Sequence, residues 1–177
     1  DYGLTAVIDL RTDNERREKP RTEIAGVKYY AVPILTTSAA AITGDKSMAQ
    51  IIFSESKHLK EQYGTADNYM RAMYTDVLFN EASVPKLRTF FDVLLAEEGC
   101  VLWLCNQVND RTGILAMLLE SLLGVDEQLI ISDYVASGRF LRHKRRLQKT
   151  AIFIVPCPLR IKLILNALIN VKPRYIT

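Results

Sequence analysis

Residues 100–124 read CVLWLCNQVNDRTGILAMLLESLLG, and the fold turns on this stretch. An apolar run from Val101 to Leu104 ends at Cys105. Arg111 follows in the spacing Cys-x5-Arg, and an apolar, helix-like segment starts directly after it. The pattern predicts a strand, a tight loop and a helix N-terminus, with Cys105 and Arg111 at the two ends of the loop. Such a loop can cradle a phosphate, because successive backbone N–H groups turn inward and the helix start carries partial positive charge. A guanidinium adds a planar, bidentate clamp for phosphate oxygens. A thiolate at the base of the loop is then placed to attack phosphorus.

Working outward, Glu97, Glu98 and Gly99 turn the chain into this strand. Before them, Leu87, Phe90, Phe91, Leu94 and Leu95 form an apolar stripe that predicts a helix over 85–95, with Ser83 as N-cap and Pro85 in its first turn. Tyr69, Met70, Met73, Tyr74 and Val77 fall on one face of a helix over 66–79, and a further helix is expected over 48–63. Toward the N-terminus, the β-branched run Leu4 to Leu10 reads as a buried strand, and Val27 to Ile34 as a second one closed by Pro33. Between them Thr12 or Asp13 caps a short helical turn, and the small residues of 36–44 read as a loop. On the other side, the helix over 112–123 ends at Gly124, a suitable C′ residue. The next helix covers 126–137 with Gly138 as its stop, and a basic run over 139–149 leads to a last helix over 159–170. Strands interleaved with helices, without a repeat or a linker, predict one layered α/β domain.

Composition sets the remaining bounds. With 177 residues, 49% of them apolar, the chain can bury one substantial core. A net charge of +3 is too small to call for a nucleic-acid partner, although it suits an anionic substrate. No apolar run in the sequence reaches the length of a bilayer span, so no stable membrane insertion is expected. Cys100, Cys105 and Cys157 are odd in number and lack zinc-like spacing, which argues against a disulfide scaffold and fits a reducing compartment. A cytoplasmic location is the expectation. The opening Asp1-Tyr2-Gly3-Leu4 reads like mid-domain sequence, and secretion therefore stays open.

A bare Cys-x5-Arg is common by chance. With Asp110-Arg111-Thr112-Gly113 intact between an apolar strand and an apolar helix, the stretch resembles the HCxxGKDRTG loop of the bacterial-type, cysteine-dependent protein-tyrosine/serine phosphatases. Residues 6–15, AVIDLRTDNE, resemble that family's viDLRsxxE strand and turn, and residues 26–33, GVKYYAVP, its following strand. Residues 69–74 and 122–137 resemble its later helices. The resemblance implies a three-layer α/β cysteine-phosphatase fold, with a central, mostly parallel sheet flanked by helices. It further implies a single phosphatase-like domain over 1–177 that lacks the family's N-terminal segment and its last C-terminal part.

Carried over residue by residue, the resemblance implies that Cys105 is the nucleophile and that Arg111 binds phosphate oxygens and stabilises the transition state. Asp110 is the general acid and then the base, and Thr112 supplies a hydroxyl that assists departure of the thiolate. The backbone amides of Asn106, Gln107, Val108, Asn109, Asp110 and Arg111 hold the phosphate. No metal or other cofactor is implied. The substrate class is a phosphorylated protein or peptide, phosphotyrosine foremost, ahead of a phosphoinositide. Three positions depart from the family: its histidine before the nucleophile is Leu104, its loop glycine is Val108 and its loop lysine is Asn109. Leu104 removes an orienting hydrogen-bond network. Val108 places a β-branched side chain where the backbone approaches phosphate, and Asn109 removes a positive charge. Two readings follow. One is a protein-tyrosine phosphatase working through a cysteinyl-phosphate. The other is a weakened or inactive pseudophosphatase that binds phosphorylated ligands.

Plainer roles stand beside these. Asp110 is also a good helix N-cap. Asp9 and Arg11 lie at a strand's C-terminal end, where sites in α/β sheets gather, but an ion pair between them is the favoured reading. Trp103 reads as core, Asp133 as structural, and His58 and His143 as solvated side chains. A sulfur-carrying rhodanese-like protein also cradles an anion over a cysteine, but the Asp-Arg-Thr-Gly run and the flanking segments argue against it.

Overall fold

The computed structural model describes residues 2–34, 63–106, 111–140 and nine positions from 146 to 166. The helices expected over 48–63 and 159–170, the loop over 36–44, most of the basic run over 139–149, and His58, His143 and Cys157 lie largely or wholly outside those residues. The chain forms two compact units, one of Asp1–Thr43 and Thr75–Ile114, the other of Gly44–Tyr74 and Leu115–Thr177.

In chain order the described elements are β1 (Leu4–Asp9), α1 (Asp13–Glu18), β2 (Lys28–Ala31), α2 (Ala66–Phe79), α3 (Val84–Ala96), β3 (Cys100–Leu104), α4 (Arg111–Leu122) and α5 (Glu127–Phe140). The first unit is α/β, a three-stranded parallel sheet of order β2-β1-β3 flanked by helices. Its central strand shows why. Ala6, Val7 and Ile8 are consecutive and all buried, which requires cover on both faces of the sheet. Val7 stands opposite Tyr29 on β2 and Leu102 on β3. The ladder continues past β2 in irregular form, with Val32 N–H donating to the Asp9 carbonyl at 2.9 Å and Ile34 N–H to that of Leu10 at 3.3 Å. Leu10, Val32, Ile34, Val77, Phe90, Val93, Cys105 and Ile114 are also buried among the described residues of this unit.

β3 is set by a steric fit at its start. A Cβ on Gly99 would lie 2.1 Å from Thr5 Cγ2 and 2.9 Å from Thr5 Cβ. The β1–β3 register is irregular between Leu4 and Ala6, at that same Thr5. Gly99→Ala is therefore expected to lower stability by ~1–3 kcal/mol through forced displacement of Thr5 or of the strand start, read by urea denaturation. Thr5→Ala in the Gly99→Ala background should recover part of the loss, because it removes the nearest atom. No recovery would point away from the Thr5 clash.

Helix boundaries follow local chemistry. Thr12, not Asp13, is the N-cap of α1, and it forms a capping box with Glu15. Ser83 holds the N-cap slot of α3 with Pro85 in the first turn, as expected, but its backbone is already helical and its side chain makes no capping bond. The stripe of α3 is narrower than the sequence suggests. Phe90 and Val93 are buried, whereas Leu95 is 86% exposed, so the helix buries only the face that meets the sheet. In the second unit, α4 ends in a Schellman motif. Gly124 takes a φ of 76°, Gly124 N–H donates to the Ser121 carbonyl, and Val125 N–H to that of Glu120. The helix α5 runs through Gly138 to Phe140 instead of stopping at 137, which costs ~1 kcal/mol relative to alanine and is affordable inside a packed helix. Tyr74 and Tyr134, both buried, meet through their hydroxyls at 2.5 Å with rings at 88°.

Candidate active site at the C-terminal edge of the sheet

The strand order places β1 in the middle, with β2 on one side and β3 on the other. The strand order thus reverses between β1 and β3, the topological switch point at which open α/β sheets bind ligands. At this carboxyl edge β3 delivers Cys105, only 1% exposed and a free thiol. On the far side of the loop Arg111 is the first residue of α4, whose first turn carries the positive end of the helix dipole.

Both flanks of the loop are fastened to one residue of β1's end. Leu10 N–H donates to the Leu104 carbonyl at 2.9 Å, and the Leu10 carbonyl accepts from Arg111 Nη1 at 3.0 Å. Leu10 is fully buried, so these bonds are shielded from water. The start of α4 is also tied to β3, with Trp103 Nε1 donating to the Thr112 carbonyl at 3.2 Å. Trp103, half-buried, in turn packs edge-on against Phe90 at 5.7 Å. Thr112 Oγ1 is a buried hydroxyl with no hydrogen-bond partner among the described residues.

Arg111 has a second anchor that is invisible in the local sequence. Its Nη2 donates to Glu15 Oε1 at 2.6 Å and its Nη1 to Glu15 Oε2 at 2.8 Å, a bidentate ion pair. The side chains of the pair are only 13% and 11% exposed. Glu15 Oε2 also accepts Thr12 N–H at 2.8 Å, as half of the α1 capping box. Burial pushes the Glu15 carboxyl up, but the bonds from Arg111 and Thr12 and the Arg111 charge outweigh it and hold its pKa below the ordinary 4.5. The stabilisation from this pair is thus complete above the ordinary carboxylate range and is lost as pH falls through the lower folded value.

A parallel clamp lies beside it. Arg11 is 3% exposed, donates from Nε and Nη2 to both oxygens of Asp9, and caps the Lys19 carbonyl at 2.7 Å. Burial pushes the Asp9 carboxyl up, and the opposing Arg11 bonds and charge bring it below its ordinary value. The ion pair favoured on sequence grounds is the observed one. Arg16 Nη1 donates to the Arg11 carbonyl at 2.7 Å and so stitches α1 to the same turn.

Of the residues singled out from the sequence, the structure brings Cys105, Arg111 and Thr112 to one edge of the sheet, with Asn106 directly after the cysteine. Gln107, Val108, Asn109 and Asp110 lie outside the described residues. Sequence reasoning missed Glu15. The Thr12-x-x-Glu15 pattern announces a helix start, and nothing in it signals a bond to a residue 96 positions away. Among the described residues no group of three or more His, Cys, Asp or Glu could hold a metal ion, and no helix is long and apolar enough to cross a membrane.

The sequence matches the model of the tyrosine phosphatase family over residues 1–177. It is 26% identical over 140 residues to a tyrosine-protein phosphatase of Nostoc commune, an overlap of 78% of this chain and 42% of that protein. It is 30% identical over 142 residues to a Cupriavidus necator protein with a tyrosine-protein phosphatase name, an overlap of 77% of this chain and 45% of that one. The chain thus spans less than half the length of these curated relatives.

Proposed function

Because the chain belongs to the tyrosine phosphatase family, we propose that it is a phosphomonoester hydrolase that acts on phosphotyrosine in proteins or peptides through a cysteinyl-phosphate. The observation that carries the reading is the joint fastening of Leu104 and Arg111 to Leu10, which holds the two ends of a Cys-x5-Arg loop at the switch point of the sheet. In the first step the Cys105 thiolate attacks phosphorus and the bond to the leaving oxygen breaks. Asp110 gives its proton to that oxygen, so a neutral phenol departs instead of a phenolate. In the second step water attacks phosphorus, Asp110 takes the water's proton, and the phosphorus–sulfur bond breaks. The electron pair returns to Cys105 as thiolate, which the Thr112 hydroxyl stabilises by donating a hydrogen bond. Arg111 and the loop amides carry the charge on the equatorial oxygens throughout. No metal takes part in these steps. Phosphoinositides rank below phosphoproteins as substrates, since Asn109 takes the place of a loop lysine that would favour a polyanionic headgroup.

A second reading rests on Leu104, Val108 and Asn109, which replace the histidine, glycine and lysine of the resembling loop. In that reading the loop binds phosphorylated ligands without turning them over. One experiment separates the two. Hydrolysis of p-nitrophenyl phosphate in the presence of EDTA is expected for the phosphatase, with a phosphoenzyme trapped by acid quench. Absence of turnover together with binding of inorganic phosphate supports the binding module, and the triple change Leu104→His, Val108→Gly, Asn109→Lys should then raise the rate. Neither turnover nor phosphate binding would overturn both.

A further inference from the structure

The residue that stands out beyond this scheme is Glu15. An arginine that serves phosphate must present its guanidinium in one plane, yet its side chain has four rotatable bonds and loses much rotamer freedom when it is held. In this protein, groups from a single turn between β1 and α1 hold it. Leu10 supplies a carbonyl to Nη1, and Glu15 takes Nη1 and Nη2 with its two oxygens, at 3.0, 2.8 and 2.6 Å. Glu15 is itself immobilised. Its Oε2 accepts Thr12 N–H, its own N–H donates to Thr12 Oγ1 at 3.2 Å, and it sits in the first turn of α1. The turn is pinned in its turn by Arg11 on Asp9 and by Arg16 on the Arg11 carbonyl. The carboxylate is thus a rigid fixture, not a surface side chain that happens to meet a cation.

We propose that Glu15 is the positioning residue of Arg111: its carboxylate, built into the α1 capping box, fixes the guanidinium in the plane it uses on the phosphoryl group. The inference rests on the phosphatase reading above. It gives the DLRTDNE stretch, residues 9–15, a task in catalysis that no contact with substrate requires. A misplacement of a charge-stabilising group by ~1 Å costs ~100-fold in rate, so a fixture of this kind acts on turnover more than on capture of substrate.

The test compares wild type, Glu15→Gln, Gly99→Ala and Cys105→Ser in p-nitrophenyl phosphate hydrolysis and in thermal unfolding. Glu15→Gln keeps shape and removes the charge that binds Arg111. Its kcat is expected to fall ~10- to 100-fold while KM moves less than ~3-fold, the signature of an interaction used in the transition state. Gly99→Ala clashes with Thr5 at the end of β3 opposite Cys105 and touches neither Glu15 nor Arg111, so it should lower Tm by a few degrees, with kcat within ~2-fold of wild type. Should Glu15→Gln fail to fold, Glu15→Asp, which keeps the charge but draws the carboxylate back by one methylene, is read in the same way. An unchanged or raised kcat in the Glu15 variant, or an equal loss in Gly99→Ala, overturns the positioning role while the phosphatase reading stands. Equal rates for wild type and Cys105→Ser overturn the phosphatase reading, and the positioning role falls with it.

Discussion

Replacing Cys105 by serine is expected to reduce p-nitrophenyl phosphate turnover by ~10^4-fold or more. The substitution exchanges one atom for a smaller one at a site that is 1% exposed, so the fold should tolerate it. The chemistry should not. A thiol gives an anion readily and is intrinsically nucleophilic, whereas a hydroxyl at the same place needs a general base aimed at it. Asp110 is assigned to the leaving oxygen, so no group is left for that task. Because Arg111 stays clamped by Leu10 and Glu15, the variant should still bind inorganic phosphate with an affinity close to wild type. Isothermal titration with phosphate checks that half of the expectation, and steady-state kinetics the other half. Retained turnover in the variant would show that the covalent step does not run through Cys105.

Phe90→Ala is the substitution expected to cost most in stability, ~3–5 kcal/mol. Phe90 is fully buried, and its ring meets those of Phe91 at 5.2 Å and Trp103 at 5.7 Å, both edge-on. Removing the ring forfeits its transfer free energy and two aromatic contacts, and leaves a cavity that a parallel sheet cannot close by local shifts. A domain is stable by only ~5–15 kcal/mol, so this one change takes a large share. The effect should reach the site as well. Trp103 donates to the carbonyl of Thr112 in the first turn of α4, and a loosened Trp103 no longer fixes that turn. Urea denaturation should show the loss of stability, and kcat of the folded fraction should fall together with it. A Phe90→Leu variant, which fills more of the space, should retain most of both. Equal stability of Phe90→Ala and wild type would mean that the α3–sheet contact is not the core of the unit.

Much of the fold was legible in the chain because it rests on local rules. Within the run from Leu4 to Leu10, Ala6, Val7 and Ile8 are apolar at consecutive positions, the mark of a strand covered on both faces, and the run forms the central strand of the sheet. Gly124 ends α4 because a left-handed residue is needed there. The helix over 66–79 is found at those bounds because its apolar face repeats at helical spacing. Where local rules misjudged, tertiary packing is the reason. Leu95 extends the apolar stripe of α3 in the sequence yet is exposed, since the face the helix buries is the one that carries Phe90 and Val93. Gly138, a breaker by propensity, stays inside α5, because propensity is a weak prior that packing overrides.

The sequence by itself determined the ends of the loop. Cys105 after an apolar strand and Arg111 before an apolar helix follow from spacing and residue type alone, and so does the match to the tyrosine phosphatase family. Only the tertiary structure decided what holds those ends. Parallel pairing of β1 with β3 brings Leu10 beside Leu104, and with it the turn that carries Glu15 to Arg111. That pairing joins residues about a hundred positions apart. It depends on strand order and register, which come from burial of the whole sheet and leave no trace in any local pattern.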